Sequence, residues 1–181
     1  MTSPMFRKKE MNELQRLSVA DAKAAHTFPL TIVLDSVRSM HNVGSVFRTA
    51  DSFGLESIVL CGYTPSPPHR EIHKTALGAT ETVHWQYEKD IVPVLEKLKA
   101  DGYRIIAAEQ VHNSISLETI QYNPTEKIAV IFGNEVEGVS NDALALCDQV
   151  VEIPQFGAKH SLNISVSVGI IVWELIRTFN Q

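Results

Sequence analysis

Short runs with apolar centres punctuate the chain: TIVLD at 31–35, SIVLC at 57–61, RIIAAE at 104–109, KIAVIF at 127–132 and QVVEI at 149–153. Each is bounded by turn residues and lacks the polar alternation of a half-exposed strand. The pattern predicts strands buried on both faces, as in a parallel sheet covered by helices. Helical spacing fills the gaps. Val43, Phe47, Ala50 and Phe53, with Val46 beside them, predict a helix over 42–53 with Asn42 as N-cap and Gly54 as its stop. Residues 89–101 predict a second helix, with Pro93 near its first turn and Gly102 after it, and residues 140–147 a third that opens on Ser140. Residues 8–25 read as a charged helical leader in which Ser18 and Asp21 form a capping-box-like start. From Leu162 to Val168 apolar residues alternate with polar ones, but Gly169–Ile176 runs on too long for one strand. A long buried helix from near Ser161 is predicted instead, with Ser165, Ser167 and Gly169 as a small side suited to close packing. The segment 61–71, CGYTPSPPHRE, is the main irregular loop.

Alternating strands and helices make this an α/β chain. Its 181 residues, 44% hydrophobic, suffice for one core, so residues 30–181 are read as one domain behind a short helical extension, 1–29. No run approaches the ~18 apolar residues of a membrane span. The first residues lack the basic-then-apolar order of a secretion signal, so a cytoplasmic location is expected. Cys61 and Cys147 form no CxxC pair and read as reduced, structural thiols. The net charge of −5 lends no bulk support to a nucleic-acid partner. Any RNA surface must be local, and Arg7-Lys8-Lys9 and the stretch His69–Lys74 could supply one.

Three loops that follow predicted strands carry the polar residues a site needs, at the strand ends where open α/β sheets collect ligands. The first runs from Asp35 to Arg48. Gly44 and Arg48, four apart, share a helix face away from the apolar stripe, where Gly44 leaves room and a guanidinium could grip a phosphate, although a plain surface arginine is the commoner occupant of such a segment. The second, Phe132 to Ser140, sets an amide and two carboxylates between Gly133 and Gly138. It is neither a dinucleotide nor a nucleoside-triphosphate motif, and an ordinary strand-to-helix turn would use the same residues. The third, Ile153 to Asn163, leads into the last helix, where Ser161 could serve simply as N-cap. His69 and His73 stand four apart, but no third ligand accompanies them, so no metal is expected. Glu135 and Glu137 alone do not suggest glycoside chemistry.

Taken in order, N-x-G-x-x-x-R at Asn42–Arg48, G-N-E-x-x-G at Gly133–Gly138 and I-P…S-L-N-x-S-V at Ile153–Val166 resemble the three motifs of the SpoU family of RNA 2′-O-ribose methyltransferases, within the SPOUT superfamily. The match spans about 30–178. The third motif resembles the guanosine-modifying tRNA and 23S rRNA branches more than the minimal wobble-nucleotide branch. The resemblance implies the SPOUT α/β fold, a mainly parallel sheet with helices on both faces and a C-terminal trefoil knot, which pattern reasoning alone would exclude. It implies S-adenosylmethionine as cofactor, held by Ala108, Glu109, Gln110, Phe132, Gly133, Asn134, Gly138, Ile153, Pro154, Ser161, Leu162 and Asn163. It implies methylation of a ribose 2′-OH in tRNA or rRNA, tRNA first, with Arg48, Asn42, Glu135, Ser161 and Asn163 as the catalytic set. Arg48 would remove the hydroxyl proton, orient the hydroxyl or bind the adjacent phosphate. Arginine is a poor base, since a guanidinium holds its proton to above ~12. Glu135 would hold the site together through Asn42 or Arg48. Arg38, His41, Arg48, Arg70 and Lys74 are the candidate RNA contacts, and a homodimer through the last helix is implied. Two other readings keep the fold: a binding module without catalysis, and a methyltransferase directed at a base.

Overall fold

The computed structural model describes residues 6–10, 13–14, 17–25, 27–123, 125–158 and 161–179. The five apolar runs all become strands. Among the described residues the strands are β1 (Phe28–Asp35), β2 (Leu55–Cys61), β3 (His84–Glu88), β4 (Tyr103–Ala108), β5 (Ile115–Ser116), β6 (Lys127–Phe132) and β7 (Gln149–Glu152). They form one sheet in the order β3-β2-β1-β6-β4-β7-β5, and every neighbouring pair is parallel. The helices are α1 (Val19–Ala24), α2 (Met40–Phe53), α3 (Arg70–Ala76), α4 (Ala79–Thr82), α5 (Ile91–Ala100), α6 (Asn141–Leu144) and α7 (Ile164–Phe179).

Successive side chains of a strand point to opposite faces, so each central strand feeds two cores. Leu30, Ile32 and Leu34 of β1 join Ile128, Val130 and Phe132 of β6 beneath α2, α3 and α7. Val33, Ala129 and Ile131 face the other way, against Val94 and Leu95 of α5 and Ala143 of α6. Helices therefore cover both faces, as the unbroken apolar runs require. No described helix is long and apolar enough to cross a membrane.

Several boundaries move. The cap of α2 is Ser39, whose hydroxyl accepts from the Asn42 N–H at 3.3 Å, so Asn42 lies inside the first turn. Its side chain is drawn elsewhere. The last helix starts at Ile164, not at Ser161, because the Asn163 side chain caps it: Oδ1 accepts from the Ser165 N–H at 2.8 Å and from its hydroxyl at 2.6 Å. The leader lies partly outside the described residues; within them only 19–24 is helical, and Ser18 accepts from the Asp21 N–H at 3.1 Å as expected. Strand β3 and helices α3 and α4 have no counterpart in the apolar pattern. On the small side of α7, Gly169 meets no other element: an added Cβ there would find nothing within 4 Å. Instead Val166, Ile170 and Trp173 stand exposed at 49%, 38% and 58%, with the spacing of one helix face.

Candidate functional site

Adjacent strands β6, β4 and β7 end side by side, and the loops beyond them enclose a cavity of about 510 Å³. The loop after β6 folds back on itself. Asn134 and Gly138 exchange backbone hydrogen bonds, both 2.9 Å, and Asn134 Oδ1 accepts from the N–H groups of Val136 at 2.8 Å and Glu137 at 3.1 Å. Gly133 must be glycine here, since a Cβ would stand 2.1 Å from the Gly138 carbonyl carbon and the Val139 nitrogen. Gly138 has φ +73°, and a Cβ on it would reach within 2.2 Å of Glu109 Oε2. The exit of the loop is tied to two carboxylates: Glu109 accepts from the Val139 N–H at 3.0 Å, and buried Asp35 from the Ser140 N–H at 2.9 Å.

Every residue expected to hold the cofactor lines this cavity except Pro154. In extended chain neighbours face opposite ways. Ile153 and Gln155 take the cavity side and Pro154 does not. The wall combines apolar Phe132, Val151, Ile153, Leu162 and Ile171 with the acidic residues Glu109, Glu135 and Glu152, and no lysine or arginine among the described residues joins them. Such a cavity suits a mid-sized organic cation with a flat apolar part.

Asn42, Glu135 and Asn163 meet at its rim. The Glu135 carboxylate accepts from the N–H of Arg38 at 2.9 Å, the N–H of Ser39 at 3.0 Å and Asn42 Nδ2 at 3.1 Å. Asn163 Nδ2 donates to Asn42 Oδ1 at 3.2 Å, so one polar chain joins α2, the β6 loop and the start of α7. Burial alone would raise the Glu135 carboxyl, but the donated N–H groups outweigh it and hold it below the usual carboxylate range. A carboxylate with a depressed folded pKa stabilises the protein above its unfolded value, ~4.3, and that contribution disappears as the pH falls through the depressed folded value. Glu135→Gln presents an amide where donors converge. It is expected to cost about 1–2 kcal/mol in thermal or urea unfolding at pH 7, and the difference from wild type should shrink in the acid range.

Arg48 is the candidate the fold sets apart. Six residues beyond Asn42, it lies about 9 Å along α2 and about 120° around it. It is exposed, makes no hydrogen bond or ion pair among the described residues, and lines a separate groove with Ser45, Thr49, Ser52, Phe53, Lys74 and Thr75. Gly44 shares that helix face by spacing but leaves no room beside Arg48. The room is taken by α3, whose Ile72 carbonyl oxygen would lie 2.3 Å from an added Cβ. Of the candidate RNA contacts, Arg38 and Arg70 are exposed, whereas His41 Nε2 (3.1 Å) and Lys74 (2.7 Å) share the Glu71 carboxylate. The Lys74 ammonium is the main reason that Glu71 sits below the usual carboxylate range; it outweighs the opposing effect of burial, and His41 adds a lesser contribution in the same direction. His69 caps α3 through Nδ1, and among the described residues no group of three His, Cys, Asp or Glu is placed to hold a metal. Ser161 lines the cavity wall. The bracing roles of Asn134 and Asp35 were invisible in the sequence, because both depend on partners about a hundred residues away.

A parallel α/β sheet with a cavity at its strand ends and an amide–carboxylate chain on its rim is the arrangement of a small-molecule-dependent enzyme, and the comparisons with known proteins give its class. The chain belongs to the SpoU rRNA Methylase family, whose model matches residues 29–173. Among its relatives, the 23S rRNA (guanosine-2′-O-)-methyltransferase RlmB of Vibrio vulnificus is 31% identical over 173 residues, covering 94% of this chain and 68% of the relative. The tRNA (guanosine(18)-2′-O)-methyltransferase of Escherichia coli K12 is 29% identical over 92% of this chain and 71% of its own length. An AdoMet-bound rRNA methyltransferase from Sinorhizobium meliloti superposes with a TM-score of 0.78 at 26% identity, covering 87% of this chain and 60% of that one. The TrmH/SpoU tRNA modifying enzyme of A. aeolicus shares the fold, with a TM-score of 0.79 at 24% identity over 90% of this chain and 82% of that one.

Proposed function

We propose that this protein transfers a methyl group from S-adenosylmethionine to the ribose 2′-OH of a nucleotide in tRNA or rRNA. The observation that carries the reading is the carboxylate-lined cavity at the ends of β6, β4 and β7, built from the residues of two family motifs. The cofactor's positive charge matches those carboxylates, and its adenine matches the apolar wall. When bound, it supplies an electrophilic methyl on a sulfonium. Titration calorimetry with S-adenosylmethionine is expected to show saturable binding, and its absence would favour a binding module of the same fold.

The chain's own residues then have to bind and orient the hydroxyl. Asn42, held between Glu135 and Asn163, offers a rigid polar edge at the cavity mouth, and Ser161 lines the wall beside it. Arg48 lies in another groove, so its part requires a second copy of the chain. The exposed stripe Val166–Ile170–Trp173 supports a homodimer through α7. That helix runs from the cavity, lined by Ser167, to Trp173, whose ring lies 6.1 Å from Phe53 in the Arg48 groove. Packing two copies on this face sets the Arg48 of one beside the cavity of the other. There the guanidinium grips the phosphate next to the target ribose and orients its hydroxyl. The RNA backbone follows the α2–α3 side, where exposed Arg38 and Arg70 supply local positive charge on an acidic protein, and His41 and Lys74, held on Glu71, offer further contacts. Residues 30–181 form the catalytic domain, 1–29 a short extension, and the C-terminal part threads the family's trefoil knot. Free Cys61 and Cys147 agree with a reducing, cytoplasmic setting.

A further inference from the structure

Tyr63 follows β2 at the same end of the sheet as the cavity, and the residue is 60% exposed. Its backbone is pinned on both sides. The Gly62 N–H donates to the carbonyls of Glu88 at 3.3 Å and Lys89 at 3.2 Å, and the Gly62 carbonyl accepts from the Tyr87 hydroxyl at 2.6 Å. Thr64, 2% exposed, donates its hydroxyl to the Leu34 carbonyl at 3.2 Å and accepts from the Val37 N–H at 3.0 Å. A large aromatic side chain on so fixed a turn loses little freedom when something covers it.

One side chain separates this ring from the cavity. Asn134, which lines the cavity, donates its Nδ2 to the Ser36 carbonyl at 2.8 Å and to the Tyr63 hydroxyl oxygen at 3.4 Å. The direction of that amide is settled by the backbone N–H groups of Val136 and Glu137, which both point at its oxygen. The phenol therefore acts as acceptor towards Asn134, and its own proton is left to donate outwards. Two residues beyond Ser36, the exposed Arg38 provides a cation for a phosphate on the same side.

We propose that Tyr63 is the platform on which the unpaired base of the target nucleotide stacks, so that its ribose is presented to the cavity mouth. The inference rests on the RNA methyltransferase reading and names a positioning residue within it. Proteins that read single-stranded RNA hold splayed bases on aromatic faces, and loss of one such face weakens binding roughly 5- to 150-fold.

The test is a set of steady-state assays with tritiated S-adenosylmethionine and total RNA from cells lacking the gene. Tyr63→Leu is expected to raise KM for RNA by about tenfold or more, with cofactor affinity and melting temperature unchanged. Tyr63→Phe, which keeps the ring, is expected to restore most of that loss. An unchanged KM in Tyr63→Leu would overturn the inference, as would a matching fall in cofactor affinity, which would make Tyr63 a brace for the Asn134 loop. If the wild type transfers no methyl to any RNA, the functional reading itself falls; the inference fails alone when the wild type is active and the leucine variant matches it.

Discussion

Replacing Arg48 with alanine is expected to lower turnover by about 10²- to 10³-fold and to leave S-adenosylmethionine affinity unchanged. The separation of effects follows from geometry. Arg48 is absent from the cavity wall and makes no contact among the described residues that braces it, so its removal leaves the cofactor site intact. On the proposed mechanism, what is lost is the charge that would hold a phosphate and align the attacking hydroxyl, an effect on the reaction and not on the fold. The same geometry predicts complementation. Ala108→Phe fills the cavity from the end of β4 but keeps Arg48. Mixed with Arg48→Ala under conditions that exchange subunits, it is expected to restore part of the activity, because one intact cavity then faces one intact arginine. Turnover near wild type in Arg48→Ala would remove Arg48 from the mechanism. A mixture as inactive as its components would place arginine and cavity in the same chain.

Gly133→Ala is expected to be the most damaging substitution for the fold of the site. The new methyl would stand 2.1 to 2.3 Å from three backbone atoms of Gly138 and Val139, none of which can turn aside as a flexible side chain would. The loop would have to open, breaking the paired bonds between Asn134 and Gly138 and the bond from the Val139 N–H to Glu109. A cost of about 3 kcal/mol in denaturant unfolding is expected, together with loss of cofactor binding by calorimetry. Gly157→Ala is the control, since an added Cβ there would meet nothing within 4 Å. Wild-type stability and affinity in Gly133→Ala would contradict the loop geometry.

The sheet's buried strands were legible because burial on both faces leaves an unmistakable apolar run. Strand β3, HWQYE, was not: it lies at the sheet edge with most of its side chains exposed, so nothing required them to be apolar. Helices α3 and α4 each bury little, Ile72 and Ala76 in one and Ala79 in the other, too few to set a helical period. The helix starts shifted because Asn42 and Ser161 look like caps by residue type. Only the fold shows that Asn42 spends its side chain on Glu135 and Asn163, while Asn163 both caps α7 and reaches back to Asn42. The family resemblance pointed to much of the cavity wall, but not to Val151, Glu152, Gln155, Ser167 or Ile171, which reach it only through the packing of β7 and α7. The isolation of Arg48 was not legible, because a motif gives spacing along a helix and not which neighbour covers its faces.

The most direct measurement is methyl transfer itself. The purified protein, S-adenosylmethionine and RNA from cells lacking the gene should yield a methylated nucleotide. Its 3′ linkage should resist alkaline cleavage, since the 2′-OH is no longer free to attack the phosphate. Mass spectrometry of the nuclease digest should place the methyl on ribose at one position in a tRNA or rRNA. A methyl found on a base, or no transfer to any RNA by a protein that binds the cofactor, would contradict the account.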